Sequence, residues 1–138
     1  MDFDNCKTEE THKVIVRREK KSEVRIDNKH KKTIEIVTVD GCLLATHEPK
    51  CDYLFKVPSE KVAIFVELKG CDLDKAIAQL LNTIERTKPH LQDFSKSAYI
   101  SSSNIPSFRT TFQRKQKQFK RSCGVTVSMK KSPLEISA

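Results

Sequence analysis

Two carboxylates and a lysine are the residues whose types and spacing could do chemistry. Asp52 opens the segment Asp52-Tyr53-Leu54-Phe55-Lys56-Val57, and Glu67-Leu68-Lys69 closes the apolar run that begins at Val62; the breaker Pro58-Ser59-Glu60-Lys61 separates them. If those four residues form a hairpin loop, Val57 pairs with Val62. Numbers of antiparallel partners keep a constant sum, so Asp52 falls opposite Glu67 on one face of the sheet, with Cβ atoms about 4.5–5.5 Å apart. Lys69 projects from that same face and Leu68 from the other. Two carboxylates held so close repel unless something positive lies between them. Lys69 is one candidate for that charge. A divalent ion is the other, because Mg²⁺ takes one or two carboxylates and fills its octahedron with water and phosphate oxygens. An ion and a lysine together supply what phosphodiester hydrolysis needs, charge neutralisation at the phosphate and a nucleophile formed near neutral pH. The tripeptide by itself is not distinctive, since Glu19-Lys20-Lys21 and Glu48-Pro49-Lys50 match it too. A surface ion-pair cluster is the plainer meaning of the same residues.

Strand and helix patterns supply the context. Ile34, Ile36 and Thr38 alternate with Glu35, Val37 and Val39, a strand that stops at the turn Asp40-Gly41; Leu43-Leu44-Ala45 could continue it. The continuous run Val62-Ala63-Ile64-Phe65-Val66 predicts a central strand buried on both faces. After Gly70 the period becomes helical: Leu73, Ala76, Ile77, Leu80, Leu81 and Ile84 share one stripe, with Asp72 as the cap and Pro89 as the stop. Ala98-Tyr99-Ile100 predicts a strand, residues 107–121 a second helix, and Val125-Thr126-Val127 a last strand. The fold class is therefore α/β: a central mixed sheet, an antiparallel meander followed by helix-strand-helix-strand, with helices packed on its faces. The densely charged residues 1–32 read as an N-terminal arm or edge hairpin, 33–129 as the core domain and 130–138 as a loose tail.

Asp52, then Glu67-Leu68-Lys69 after an apolar strand, then a helix containing Ala76-Ile77-Ala78-Gln79-Leu80, resembles the core of the PD-(D/E)XK nuclease superfamily. That is the restriction-endonuclease-like fold, which also includes Holliday junction resolvases. The resemblance spans roughly residues 33–101 and is sharpest over 50–81. It implies a metal-dependent DNA endonuclease in which Asp52, Glu67 and the Leu68 carbonyl hold Mg²⁺, or Mn²⁺ in its place. Lys69 orients or activates the attacking water, and Gln79 stands beside the site. It also implies a homodimer, with one site for each strand. The sequence departs from the motif in two places. Cys51 stands where the motif has proline, and no helix upstream of Thr33 supplies a further acid, for which Glu9, Glu10, Glu19, Glu23 and Asp40 are the candidates. The alternative is the same fold with an incomplete site, serving as a DNA-binding or assembly subunit.

The charge of the chain points the same way. Of 138 residues, Lys and Arg number 26 and Asp and Glu 18, for a net charge of +8. Residues 1–87 hold 16 of each sign, so the whole excess lies in residues 88–138, with 10 basic residues against Asp93 and Glu135. Such asymmetry suggests a polyanionic partner, nucleic acid first and an acidic membrane second, and the resemblance puts DNA ahead of RNA; a basic surface kept for solubility is the competing meaning. Residues 107–121 carry Arg109, Arg114, Lys115, Lys117, Lys120 and Arg121 and no acid, while Phe108, Phe112 and Phe119 form an inward stripe opposite Arg109, Gln113, Gln116 and Lys120. These cations would bind phosphates without reading bases. No stretch is long and apolar enough to span a bilayer and the polar start lacks a signal peptide's core, which predicts a cytoplasmic protein without a membrane partner. The five cysteines, without a Cys-x-x-Cys pair, predict reduced thiols and no zinc site.

Overall fold

The computed structural model describes residues 1–45, 47–68, 72–102 and 109–138. Its main sheet has six strands: β1 (Lys7–Glu10), β4 (Ile34–Thr38), β5 (Tyr53–Val57), β6 (Val62–Leu68), β7 (Ser95–Ser102) and β8 (Thr126–Lys131), side by side in that order. The pairs from β1 to β6 are antiparallel, while β6, β7 and β8 run parallel. The expected mixed sheet is thus present, an antiparallel meander followed by two helical crossovers.

The crossovers are α1 (Leu73–Thr87) and α2 (Arg109–Cys123). Asp72 caps α1 by accepting the Lys75 N–H at 3.1 Å, and Leu73, Ala76, Leu80 and Ile84 bury its apolar stripe. Phe119 of α2 is buried and Phe112 packs beside it, the inward stripe expected of that helix; Phe108 lies outside the described residues. Helices were expected on both faces of the sheet, but α1 and α2 share one. Right-handed crossovers that step the same way, from β6 to β7 to β8, leave both helices on the same side.

The other face is covered by a second sheet. A hairpin of β2 (Val14–Glu19) and β3 (Ser22–Asp27) pairs antiparallel, and β9 (Leu134–Ser137) joins β3 in parallel. Ile15, Val24, Ile26, Leu134 and Ile136 pack there against Ile34, Ile36, Phe55, Val57, Ile64, Val66 and Leu68. Residues 1–32 are therefore no free arm: β1 extends the main sheet, and the hairpin, present as one of the two expected forms, builds a third layer instead of an edge. Residues 130–138 are no loose tail either, since Leu134 is fully buried. In β3 apolar residues point inward and charged ones outward, so the charge density of this segment is only its outer face. Leu43 and Leu44 do not continue β4. They are buried in the turn after it, where Gly41 takes φ +90°, a left-handed conformation that favours glycine.

Cys6 and Cys42 form a disulfide, in contrast to the thiols expected from spacing alone. Pairing of β1 with β4 sets Lys7 opposite Val37, which brings Cys6 beside the turn that follows β4, with Cα atoms 5.7 Å apart. Cys51 and Cys123 are free, and Cys71 lies outside the described residues. Among the described residues, no helix is long and apolar enough to cross a membrane.

Candidate functional site

Pro58–Glu60 form a single 3-10 turn, and Lys61 closes it in the left-handed region at φ 53°. The hairpin register follows: Val57 pairs with Val62 and Tyr53 with Val66. Continued one residue further, the ladder sets Asp52 opposite Glu67, as the loop length required. Ala63 and Phe65 face the helices while Ile64, Val66 and Leu68 face the small sheet, so Glu67, in step with Phe65, lies on the helical side. Lys69 lies outside the described residues. The pair stands where β5 begins and β6 ends, the carboxyl end of a parallel strand ahead of a helix, where open α/β sheets gather their ligands.

Glu67 is only 7% exposed, and its Oε1 is buried with no hydrogen-bond partner. Burial, then the charge of Asp52, pushes its carboxyl up to about 9. Burial also raises Asp52, although the Leu68 N–H donates to its Oδ2 at 2.8 Å and pulls the other way. The two groups behave as one acid pair that keeps a proton near neutral pH. An orphaned carboxylate oxygen facing a second carboxylate is a donor set that suits a small hard cation, which would replace that proton. Asp52 and Glu67 are the residues that would hold it, joined by the Leu68 carbonyl.

Helix α1 holds the chain leading into Asp52. The Cys51 N–H donates to Thr83 Oγ1 at 3.0 Å, and Thr83 Oγ1 donates to the Gln79 carbonyl at 2.8 Å. Asn82 Nδ2 donates to Glu48 Oε1 at 3.0 Å and to the Pro49 carbonyl at 2.6 Å, while Arg86 pairs with Glu48 at 2.7 Å. Sequence reasoning missed these positioning residues. The available signal was Thr83, a polar residue on the apolar stripe of α1. Burial drives the Cys51 thiol far above its ordinary range, so it is no nucleophile.

From the opposite side, the turn after β4 holds Asp52 by its backbone. The Val39 and Asp40 N–H groups both donate to the Asp52 carbonyl, at 3.0 and 3.4 Å. Asp40 and Gln79 line one groove of ≈ 370 Å³ together with His47, Glu48, Lys50 and Lys75. Among the candidates for a further acid, Glu9 pairs with Lys7, Glu10 with Arg17, and Glu23 with Arg18 and Arg25. Asp40 stands 4.0 Å from Lys50; the charges of Glu19 and Asp40 both add to the upward shift of Asp52, and that of Asp40 to the shift of Glu67 as well. Among the described residues, no group of three or more His, Cys, Asp or Glu is disposed to hold a metal ion.

The basic helix α2 begins at the same end of the sheet and runs away from it. α2 follows β7 and α1 follows β6, and these strands are parallel, so both helices start at the end where β6 meets the pair. Lys115 bridges to Asp74 in the first turn of α1. Arg114, Lys117, Lys120 and Arg121 are exposed, and the last three line a groove of ≈ 490 Å³ with Gln116 and Thr126, where β8 begins, toward the end of the sheet away from the pair. Gln116, expected on the outer side, instead turns to the sheet and donates to the Val127 carbonyl at 2.7 Å, giving that carbonyl on the edge strand β8 a partner. The Arg109 side chain lies outside the described set.

Compared with family models, with curated proteins and with solved structures, the chain matches none.

Proposed function

We propose that this chain is a Mg²⁺-dependent DNA endonuclease with a restriction-endonuclease-like core, able to use Mn²⁺, and active as a homodimer. One observation carries the reading: a carboxylate pair at the carboxyl end of the central strand, Glu67 buried and Asp52 half-buried, with an unpartnered Glu67 oxygen and an amphipathic helix directly behind it. Bound there, a divalent ion would neutralise charge on the scissile phosphate and lower the pKa of a water. The chain's own residues do the rest. The Leu68 N–H fixes the Asp52 carboxylate, Thr83 and the Val39–Asp40 amides fix the Asp52 backbone, and the buried walls exclude bulk water. Lys69 orients the attacking water. Gln79, in the groove shared with Asp40, contacts substrate or solvent at the edge of the site. The cations of α2 bind backbone phosphates of a duplex without reading its sequence. Junction resolution and defence-related cleavage are the two subtypes in view.

The second reading, a catalytically incomplete nuclease-fold subunit for DNA binding or assembly, is favoured by the lack of a third metal-disposed acid among the described residues. Incubation of plasmid, linear, single-stranded and four-way-junction DNA with Mg²⁺, Mn²⁺ or EDTA separates the two. Metal-dependent cleavage that is lost in Glu67→Ala supports the nuclease. Salt-sensitive binding without cleavage, unchanged in Glu67→Ala, supports the subunit. Cleavage equal in Glu67→Ala and wild type would remove the assignment of the pair.

A further inference from the structure

The Cys6–Cys42 disulfide lies one turn of chain from the candidate site. Cys42 belongs to the turn Val39–Leu43, whose first two N–H groups hold the Asp52 carbonyl. Its partner, Cys6, is buried with Phe3 in the helix-side core and leads directly into the edge strand β1. The covalent link therefore ties the turn that seats Asp52 to the first strand of the main sheet, across 36 residues of sequence. Without it, the turn is held by those two amides, by burial of Val39, Leu43 and Leu44, by the Leu44 N–H donating to the Val39 carbonyl at 3.4 Å, and by Lys50 at 4.0 Å from Asp40. Gly41, exposed and left-handed in this turn, adds no side chain to hold it. The two cysteines also differ in exposure: Cys42 is exposed and Cys6 is 8% exposed.

We propose that the Cys6–Cys42 disulfide is an exchangeable switch that sets how firmly Asp52 is seated, and that reduction releases the turn and weakens the carboxylate pair as a cation site. The second clause rests on the metal reading of the pair; the first does not. A dithiol reductant supplies the chemistry. Its thiolate attacks the sulfur of Cys42, the more exposed residue of the two, and forms a mixed disulfide, and Cys6 leaves as a thiolate that takes a proton. The second thiol of the reductant then displaces Cys42, so the chain gains two electrons and two protons and the reductant becomes a cyclic disulfide. Oxidation by a disulfide compound reverses both steps.

The full chain is prepared oxidised with glutathione disulfide, and reduced with dithiothreitol that is then removed without air. Amide exchange at Val39, Asp40 and Leu68 and Mn²⁺ binding by titration are measured on both, and on Cys42→Ser. Exchange at Val39 and Asp40 should be about tenfold faster in the reduced chain and in Cys42→Ser than in the oxidised chain. Amides of the β2–β3 hairpin should be unchanged, and Mn²⁺ affinity should fall about fivefold or more. Equal exchange at Val39 and Asp40 in both redox states overturns the proposal, as does failure of glutathione disulfide to pair the two thiols. Faster exchange on reduction with no Mn²⁺ bound in either state sustains the switch and removes the metal reading instead. Should Cys42→Ser not fold, the reduced wild type carries the comparison alone.

Discussion

Replacing Glu67 with glutamine should make this chain more stable near neutral pH while abolishing the proposed metal-dependent cleavage. The Glu67 carboxyl ordinarily titrates at 4.5 and in the folded chain is pushed up to about 9, first by burial and then by the Asp52 charge. Between those pH values the unfolded chain has lost a proton that the folded chain keeps. Stability is thus fully present below pH 4.5 and falls as pH rises toward 9, by about 1.4 kcal/mol per pH unit for one proton. By pH 7 the accumulated loss is roughly 3 kcal/mol, a large share of the ~5–15 kcal/mol that holds a domain together. Glutamine keeps the volume of the side chain, does not titrate, and can donate to Asp52 as the protonated acid does. Urea denaturation of wild type and Glu67→Gln at pH 5, 6, 7 and 8, in metal-free buffer, measures the difference. The curves should nearly meet at pH 5 and separate in favour of the variant by up to roughly 3 kcal/mol at pH 7. Parallel pH dependences for the two proteins would refute the proton-sharing pair.

Thr83→Val removes the acceptor of the buried Cys51 N–H, at a cost of ~1–3 kcal/mol; Thr83→Ser should restore most of it in the same urea experiment, and equal midpoints for all three chains would show that the bond contributes nothing. Phe119→Ala empties a fully packed position under α2 and should cost ~3–5 kcal/mol by thermal or urea unfolding. Charge reversal at Lys117 and Lys120, both exposed on α2, should weaken DNA binding and lower the slope of log affinity against log salt by about two. A slope unchanged in that double variant would show that this face of the helix meets no phosphate. Light scattering should give a dimer at concentrations where cleavage occurs, and a monomer that still nicks DNA would contradict the homodimer.

The parts of the fold legible in the sequence are those set by local pattern. The loop Pro58–Lys61 fixed the register of β5 on β6, and with it the facing of Asp52 and Glu67. The stripe from Leu73 to Ile84 marked α1, and Asp72 marked its cap. The third layer was not legible, because β9 offers only Leu134 and Ile136 as buried residues in a strand of four, and β3 alternates apolar and charged residues as any solvent-facing strand does. Its place follows from what the helices leave bare, a consequence of crossover direction rather than of any residue in 1–32. The Cys6–Cys42 link was hidden for a related reason, since it depends on β1 pairing beside β4. At the site, the carboxylate pair could be read from a two-residue period, whereas Thr83 and Asn82 act on Cys51 and Pro49 across more than 30 residues. Asp40 reads as a turn residue in Asp-Gly, and only the bonds from its turn to the Asp52 carbonyl bring it to the pair.

The most direct test of the carboxylate pair is the proton it must surrender when a cation enters. Calorimetric titration of Mn²⁺ into the metal-free chain at pH 7, repeated in two buffers of different ionisation enthalpy, counts protons released per ion bound. Wild type should release about one proton per ion, and Glu67→Gln should bind more weakly and release none. Binding by wild type with no proton released, or equal binding and release by both proteins, would contradict the claim that Asp52 and Glu67 form the metal site.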